Sequence, residues 1–407
     1  MILIGKEDEV SDMKKLESTR LGRMGSAIFS EVAEWKREVA SRGIDVIDLG
    51  IGSPDRPPSP AVIRALEEAV RDPSMYGYPS SEGSPAFRET VARWYKHRFG
   101  IDLDPAREIV TLMGSQDGLA HLATAITDPG DTALVPDPGY PIYAASLALA
   151  GVEPCFMPLR EENGFLPALA DIPEEKARKA KFMLLNYPSN PLSAVATPEF
   201  FRDAVDFARK HELLIVHDLA YSEMAFDGFR PPSILEIEGA KEVAVEFHSL
   251  SKSFNMAGCR IAFMVGRPDV VRSLRILKSN IDYGVFNAVQ RAGIAAMEED
   301  MAPGSIPVAG LYERRRDVLI EGLQRAGWTI PKPKATMFVW ARIPDGWTSR
   351  QISREMLFST GVVVIPGDAF GSEGEGYVRI ALVQEEARLQ EAAERIGAFL
   401  AAARQPR

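Results

Sequence analysis

The segment Ser249–Arg260 contains the residues whose types and spacing point most directly to chemistry. Lys252 stands among small hydroxyl residues just after an apolar run, and Arg260 follows eight positions later. A buried lysine amine can form a Schiff base with an aldehyde, while serines and an arginine can hold a phosphate. A lone Ser-Lys-Ser is more typical of an exposed loop, so this hypothesis depends on further segments.

Pyridoxal phosphate is the commonest aldehyde cofactor, and other segments supply groups that would serve it. Asp218 would pair with the pyridine nitrogen, because a carboxylate there keeps the nitrogen protonated and the ring able to accept electrons. Tyr221 and Asn190 would donate hydrogen bonds to the ring oxygen. Lys252, displaced by an incoming amino acid, would then move a proton at the substrate α-carbon. Taken singly, these residues also fit a turn aspartate, a packing tyrosine and an Asn-Pro turn.

A phosphate subsite is expected where the Gly-Ser-Gln-Asp-Gly segment 114–118 opens a helix. A helix start flanked by glycines offers free backbone N–H groups and a positive dipole end to an anion. The expected phosphate-binding residues are Ser115, Gln116, Ser249 and Arg260.

Two further residues are expected to face the ring and the substrate. Tyr140, in Asp-Pro-Gly-Tyr-Pro, could stack on the ring, with an ordinary turn aromatic as the alternative. Arg379 stands in the apolar, strand-like Gly-Tyr-Val-Arg-Ile-Ala and needs an anionic partner. The α-carboxylate of a substrate suits its planar fork, and an internal salt bridge is the alternative.

The elements that must position these residues indicate an α/β fold. Between about residues 105 and 290, helices alternate with short runs that are apolar throughout, as in strands buried on both faces of a mostly parallel sheet. The runs are Thr132–Val135, Phe182–Leu185, Leu213–Val216, Val243–Phe247 and Ile261–Val265. Asn190, Asp218 and Lys252 follow the ends of three of these runs. Ligands bind at the carboxyl ends of parallel strands, so the three side chains should converge.

The length of 407 residues predicts two domains. We expect a large cofactor-binding domain at residues 59–300 and a smaller α+β domain at 301–407, against which an N-terminal segment, residues 1–58, packs. Helix starts are marked where Ser59, Ser84 and Thr197 each precede a proline, and the second of these helices should end at Gly100.

Composition excludes several classes of function. The net charge of -10, from 47 basic and 57 acidic residues, argues against a nucleic-acid or membrane-surface protein. No apolar run is long enough for a membrane span, and the N-terminus does not read as a signal peptide. The two cysteines do not form a disulfide framework, and no Cys/His cluster has zinc spacing, so no metal site is expected. We therefore expect a cytoplasmic protein.

Together these residues resemble the pyridoxal-phosphate aminotransferases of fold type I, class I/II. The family pattern is Ser-x-Ser-Lys with Gly and Arg six and eight positions after the lysine. It is matched by Ser249, Ser251, Lys252, Gly258 and Arg260. The order of Asn190, Asp218, Tyr221, Lys252 and Arg379 along the chain also matches. The resemblance covers roughly residues 17–400 and implies a seven-stranded, mostly parallel sheet flanked by helices.

The resemblance also implies an activity and an assembly. It implies a ping-pong exchange of an amino group between an L-amino acid and a 2-oxo acid, in a homodimer whose active sites lie at the interface. Tyr78, with Gly83 five positions later, matches a tyrosine that reaches the phosphate of the neighbouring subunit. Gly52 lies in a Leu-Gly-Ile-Gly segment similar to the one that closes over the substrate carboxylate.

The segments 45–52, 246–252, 278–286 and 374–382 are most similar to the LL-diaminopimelate aminotransferases. Three positions depart from the usual pattern, one of them Ala262, where glycine is common. Ser193 replaces the glycine of Asn-Pro-Thr-Gly, which leaves the turn geometry open because glycine allows a positive φ. Gln116 stands where many relatives of this subgroup have a lysine, which leaves recognition of the distal carboxylate open. Asn280 and Tyr283 are further candidates for that end of the substrate.

Other functions remain open at this point. Alanine, aspartate and aromatic aminotransferases share most of the pattern. A cystathionine or cysteine β-lyase would keep the same cofactor residues and would form pyruvate without an oxo-acid acceptor. A transcription regulator with an aminotransferase-like sensor domain is disfavoured by the negative charge and by the sixteen or so residues that precede the region of resemblance.

Overall fold

The computed structural model describes residues 18–23 and 27–403 of the chain. Parts of the predicted N-terminal segment, residues 1–17 and 24–26, therefore lie outside the described residues, as do residues 404–407. The strands are β1 (Ile47–Asp48), β2 (Ile109–Leu112), β3 (Thr132–Asp137), β4 (Glu153–Pro158), β5 (Ala180–Asn186), β6 (Leu214–Asp218), β7 (Ala244–Ser249), β8 (Ala262–Gly266), β9 (Phe338–Arg342), β10 (Val362–Val363), β11 (Ile365–Pro366) and β12 (Tyr377–Ala381).

The helices begin and end largely where capping residues predict. They are α1 (Ala27–Ser41), α2 (Pro60–Ala69), α3 (Pro85–Phe99), α4 (Ser115–Ile126), α5 (Ile142–Ala150), α6 (Glu174–Lys179), α7 (Pro198–His211), α8 (Ala240–Val243), α9 (Leu250–Ser253), α10 (Pro268–Ser279), α11 (Asn287–Met301), α12 (Ala309–Arg325), α13 (Ser349–Thr360) and α14 (Glu386–Ala403). Ser59, Ser84 and Thr197 each accept a hydrogen bond from a backbone N–H of the first turn, and Gly100 ends α3 with φ 72°, which confirms these predictions. None of the described helices combines the length and apolar composition of a bilayer crossing.

A seven-stranded sheet forms the centre of the larger unit, with strand order β2-β8-β7-β6-β5-β3-β4. Six strands run parallel to one another, and β8 runs antiparallel to its neighbours β2 and β7. The predicted mostly parallel sheet, and with it the α/β fold class, is confirmed. Its register places Asn186 beside Asp218, so the polar ends of β5 and β6 lie at the same edge.

Helices cover both faces of this sheet, which explains why its central strands are apolar throughout. On one face, α3, α7 and α11 pack through a core that includes Phe87, Trp94 and Phe201. On the other face, α4, α5 and α10 pack through residues such as Leu122 and Leu147. With both faces covered, the open end of the parallel strands is where polar side chains can meet a ligand.

The C-terminal part of the chain forms a second hydrophobic core around an antiparallel sheet of order β11-β12-β9. Part of the N-terminal region joins this unit, because β1 pairs with β10 and Ile47 lies opposite Val362. Ile28 and Val32 of α1 lie in a cluster with Trp340. The residue boundaries of the three predicted parts stay a prediction.

Candidate active site

A cavity of about 590 Å³ lies at the carboxyl ends of β5, β6 and β7. It is lined by eleven of the twelve residues that the sequence predicts for the site. These are Gly52, Ser115, Gln116, Tyr140, Asn190, Asp218, Tyr221, Ser249, Lys252, Arg260 and Arg379. The structure therefore brings together groups from the strand ends of the large sheet, the N-terminal region and the C-terminal unit.

Lys252 lies in the single turn of α9, which directly follows β7 and is capped by the Ser249 side chain. Its Nζ donates a hydrogen bond to the Gly52 carbonyl oxygen. Burial, helped by the positive charges of Arg379 and Arg260, lowers the pKa of Lys252 from 10.5 to about 8. The amine is therefore shifted toward the neutral form that attacks an aldehyde.

Asp218 ends β6 and is buried, with two donors on its carboxylate. Tyr143 Oη donates to Oδ2 at 2.8 Å, and the Ala220 N–H donates to Oδ1 at 3.3 Å. Burial raises the pKa of Asp218, while the Tyr143 hydrogen bond acts in the opposite direction. Asn186 Nδ2 donates a hydrogen bond to the Asp218 carbonyl oxygen at 2.8 Å, which fixes the backbone at the end of β6. A protonated pyridine nitrogen would supply the cation that a buried carboxylate needs.

The start of α4 and the Arg260 guanidinium form an anion-binding corner of the cavity. Gly114 precedes the helix with φ 84° and leaves the first backbone N–H groups without a side-chain cap. A Cβ on Gly114 would lie 2.2 Å from Arg260 Nη2, so only glycine lets the guanidinium lie against the helix start. Among the described residues, Arg260 has no carboxylate partner, and its Nη1 donates to the Ala257 carbonyl oxygen at 3.0 Å. This corner fits a phosphate.

Two tyrosines face the cavity beside these groups. Tyr140 Oη donates to Gln116 Oε1 at 3.3 Å, and the Tyr221 ring packs on Phe338 with 5.9 Å between ring centroids. Burial raises the pKa of Tyr140 and of Tyr221. Both phenols therefore remain protonated at neutral pH and can donate hydrogen bonds.

Arg379 is buried at 5% exposure, yet it forms no ion pair with any carboxylate that the structure describes. Its Nη1 donates to Asn190 Oδ1 at 2.9 Å and its Nη2 to the Gly50 carbonyl oxygen at 2.8 Å. Its Cζ lies 4.3 Å from the Phe338 ring centroid and 4.8 Å from that of Phe370. Burial lowers the pKa of Arg379 from 12.5 to about 10. The internal salt bridge is thus not present, and the guanidinium is available to an anionic ligand.

Tyr78 is the one predicted site residue that does not line the cavity. It is 91% exposed, and its ring lies 5.5 Å from that of Tyr283, another exposed residue. The resemblance assigned Tyr78 to the site of a neighbouring subunit. A single chain does not test this prediction.

The sequence prediction missed several residues that line the cavity. Tyr143 could have been found, because it stands three positions after Tyr140, in the first turn of α5. Asn186 is the first polar residue after the apolar run of β5 and could also have been found. Phe29 and Phe370 line the cavity from remote parts of the chain, and nothing in their local sequence signals this.

Comparison with known proteins gives matches along almost the whole chain. The sequence model of the family described as aminotransferase class I and II matches residues 44–396. LL-diaminopimelate aminotransferases from Halothermothrix orenii and Moorella thermoacetica are each 48% identical over 380 residues, which cover 93% of this chain and 97% of each relative.

Solved structures agree with the sequence matches. Substrate-bound BacF from Bacillus subtilis is 37% identical with a TM-score of 0.89, covering 95% of this chain and 98% of BacF. A probable N-succinyldiaminopimelate aminotransferase from Thermus thermophilus is 41% identical with a TM-score of 0.85, covering 91% of this chain and 99% of the other.

The matched residues 44–396 span the seven-stranded sheet and the antiparallel sheet of the C-terminal unit. Within the cavity, the lysine, the buried carboxylate and the anion-binding corner together fit pyridoxal phosphate. The chain therefore belongs to the class I and II aminotransferases, enzymes of the type I fold that use pyridoxal phosphate to transfer an amino group between an amino acid and a 2-oxo acid.

Proposed function

We propose that this aminotransferase takes LL-diaminopimelate, or an amino acid of closely similar shape, as amino donor and passes the amino group to a 2-oxo acid. The observation that carries the proposal is the 48% identity to two LL-diaminopimelate aminotransferases over nearly the full length of each. The cavity, at about 590 Å³, falls within the size range of sites that enclose a cofactor and a small substrate.

Lys252 is proposed to hold the cofactor covalently and then to act as the base and acid at the substrate α-carbon. Bound pyridoxal phosphate supplies the aldehyde and an electron-accepting ring. The lowered pKa of Lys252 supports both roles, because a general base works best when its pKa lies near the working pH. The Gly52 carbonyl oxygen orients the amine before substrate enters.

Asp218 is proposed to keep the pyridine nitrogen protonated, with Tyr143 holding the carboxylate in place. Tyr221 is proposed to donate a hydrogen bond to the ring oxygen, and Asn190 to contribute a second one. The raised pKa of Tyr221 supports its role as a donor. Tyr140, whose side chain lines the cavity, is proposed to stack on one face of the cofactor ring.

Binding of the two anionic groups is proposed to occur at opposite ends of the cavity. Arg260 and the start of α4, with Ser115 and Ser249, would hold the phosphate. Arg379 would bind the α-carboxylate of the substrate with its planar fork. A Cβ on Gly52 would lie 3.2 Å from the Phe338 ring, so glycine lets this segment lie close to the ring that stacks on Arg379. The buried guanidinium without an acidic partner is the main support for this assignment.

The far end of the substrate is proposed to meet Gln116 and Tyr140. An amide can donate to a carboxylate and accept from an ammonium, and diaminopimelate carries both groups at its far end. Gln116 would therefore bind the distal carboxylate through neutral hydrogen bonds, at a position where many relatives have a charged lysine. Tyr140, 3.3 Å from Gln116 Oε1, leaves the amide nitrogen free for the ligand.

The enzyme is further proposed to be a homodimer. Four exposed aromatic residues, Tyr76, Tyr78, Tyr283 and Phe286, form what we call the aromatic surface. Their rings pack in two pairs, each with 5.5 Å between centroids. A second copy of the chain would cover this surface and bring Tyr78 to the phosphate of the neighbouring site. Sedimentation at micromolar concentration should give the mass of two chains.

We also propose that the protein works in a reducing compartment, the cytoplasm. Its two cysteines, Cys155 and Cys259, are both free thiols. Both are partly buried rather than paired, which fits a reducing environment.

A half-reaction tests the proposed donor directly. LL-diaminopimelate alone should bleach the aldehyde-form absorbance of the holoenzyme, and 2-oxoglutarate should restore it with release of glutamate. The DD isomer, added under the same conditions, is the matched control and should leave the spectrum unchanged. Reaction with other amino acids but not with LL-diaminopimelate would refute the proposed substrate. Formation of pyruvate and ammonia from cysteine without an acceptor would indicate a β-lyase.

A further inference from the structure

The loop that follows β5 contains a buried serine with an unusual backbone. Ser193 stands where the family pattern has glycine, and its φ is 55°, in the left-handed region that favours glycine. The turn geometry that the sequence left open is therefore the one that glycine would adopt. Such a conformation persists at a non-glycine residue only when surrounding contacts hold it.

A second left-handed residue lies directly against Ser193. Thr336 precedes β9, is fully buried and has φ 75°, which is rare for a β-branched residue. The Ser193 and Thr336 hydroxyl oxygens lie 3.0 Å apart. Ser193 Oγ donates to the Phe338 carbonyl oxygen at 2.7 Å, and Thr336 Oγ1 lies 3.5 Å from the same oxygen. Thr336 Oγ1 in turn accepts from the Phe338 N–H at 3.2 Å.

Phe338, whose backbone the two hydroxyls hold, forms one wall around Arg379. The guanidinium carbon lies 4.3 Å from the ring centroid. The same ring packs on Tyr221, and a Cβ on Gly52 would come within 3.2 Å of it. A shift of the Phe338 backbone would therefore move the surface on which the guanidinium rests.

One loop thus fixes Arg379 from two sides. Asn190 accepts a hydrogen bond from its Nη1, and Ser193, three positions later, holds the backbone of the aromatic ring against it. The N–H of Thr336 also donates to the Met224 carbonyl oxygen at 2.7 Å, which fixes the segment before β9 against the loop that follows β6. A glycine at 193 would allow the same turn but would leave the Phe338 carbonyl oxygen without this donor.

We propose that Ser193 is a positioning residue for substrate carboxylate binding, acting through Phe338 on Arg379. This inference rests on the proposed role of Arg379. The serine would then have a role that glycine could not fill. Its hydroxyl, held by Thr336, fixes the stacked guanidinium in the orientation that a carboxylate needs.

The test uses holoenzyme variants and a 2-methyl amino acid, which binds but cannot lose an α-proton. Ser193→Gly relieves the backbone strain and Ser193→Ala retains it, while both remove the hydroxyl. Each should weaken the ligand roughly three- to tenfold, as expected for one lost hydrogen bond. Cofactor absorbance and cofactor affinity should stay at the wild-type values. Wild-type ligand affinity in Ser193→Gly would overturn the proposal.

A double-mutant cycle with Arg379→Lys separates positioning from a general structural effect. If Ser193 acts through the arginine fork, the loss caused by Ser193→Ala should shrink to less than about twofold in the Arg379→Lys background. An equal loss in both backgrounds would overturn the inference. If Arg379→Lys itself leaves ligand affinity unchanged, the proposed role of Arg379 fails instead.

Discussion

On the cofactor side of the cavity, Asp218 ends β6 and Lys252 follows the end of the adjacent strand β7. On the substrate side, Arg379 lies on β12 and contacts Asn190 and Gly50, which are 189 and 329 positions away along the chain. One side is assembled from neighbouring strand ends within one sheet, and the other from segments that meet only when both cores are formed. Substitutions on the cofactor side should therefore abolish chemistry, whereas those on the substrate side should weaken binding.

Lys252→Ala should have the largest effect. Turnover should fall by at least about 10⁴-fold, because the variant loses both the covalent link and the proton carrier. The fold should persist, since the only hydrogen bond that the side chain makes in the described structure goes to Gly52. Steady-state rates and the circular dichroism spectrum check this. Lys179→Ala, which removes an exposed lysine, is the control, and comparable turnover in both variants would contradict the account.

Arg379→Ala should weaken carboxylate substrates next most strongly. Loss of a buried charged pair costs roughly 2–4 kcal/mol, which is about 30- to 1,000-fold in affinity. KM should rise by that factor, while cofactor absorbance stays normal. Arg350→Ala, which removes a surface arginine, is the control and should leave KM unchanged. Equal KM values for Arg379→Ala and the wild type would remove the assignment and the contrast between the two sides.

Gly114→Ala should loosen the phosphate corner. The added Cβ would lie 2.2 Å from Arg260 Nη2, so the guanidinium must move away from the helix start. Loss of such charged hydrogen bonds should weaken cofactor binding by roughly 10- to 100-fold. Gly346→Ala is a matched control, because its φ of 87° is similar but a Cβ there meets open space. If the two variants retain the cofactor equally well, backbone strain rather than the guanidinium explains any loss.

The rate at which the apoprotein captures the cofactor should depend on pH, with the smallest of these effects. It links the two sides of the cavity, because Arg379 on the substrate side affects the pKa of Lys252 on the cofactor side. The pKa of Lys252 is lowered to about 8, so its neutral, reactive fraction rises as pH increases through 8 rather than through 10.5. Covalent capture by the apoprotein should become roughly tenfold faster between pH 7 and 9. In Arg379→Ala the midpoint should move upward, because that guanidinium helps to lower the pKa. A midpoint near 10.5 in the wild type would contradict the burial of the amine.

The contrast also explains what could be predicted from the sequence. Strands buried on both faces are apolar throughout, and helix caps are local, so the core of the larger sheet and the starts of α2, α3 and α7 were predictable. The strand Glu153–Pro158 was missed because it lies at the edge of the sheet, is largely exposed and contains two prolines. The antiparallel direction of β8 depends on packing that no local pattern records.

Residues on the substrate side were harder to predict, because their arrangement also depends on packing between segments that are far apart in the sequence. Arg379 was found because an arginine in an apolar strand demands a partner. The stacking rings of Phe338 and Phe370 are ordinary core residues by their local sequence. In the sequence, Ser193 stands out only as a departure from the glycine of the family pattern. Its conformation depends on Thr336, which lies 143 positions further along the chain.

Borohydride reduction of the native holoenzyme, followed by peptide mapping, shows which lysine holds the cofactor. We expect a single pyridoxyl adduct on the Lys252 side chain, and none after Lys252→Ala. An adduct on another lysine, or no adduct despite bound cofactor, would contradict this assignment.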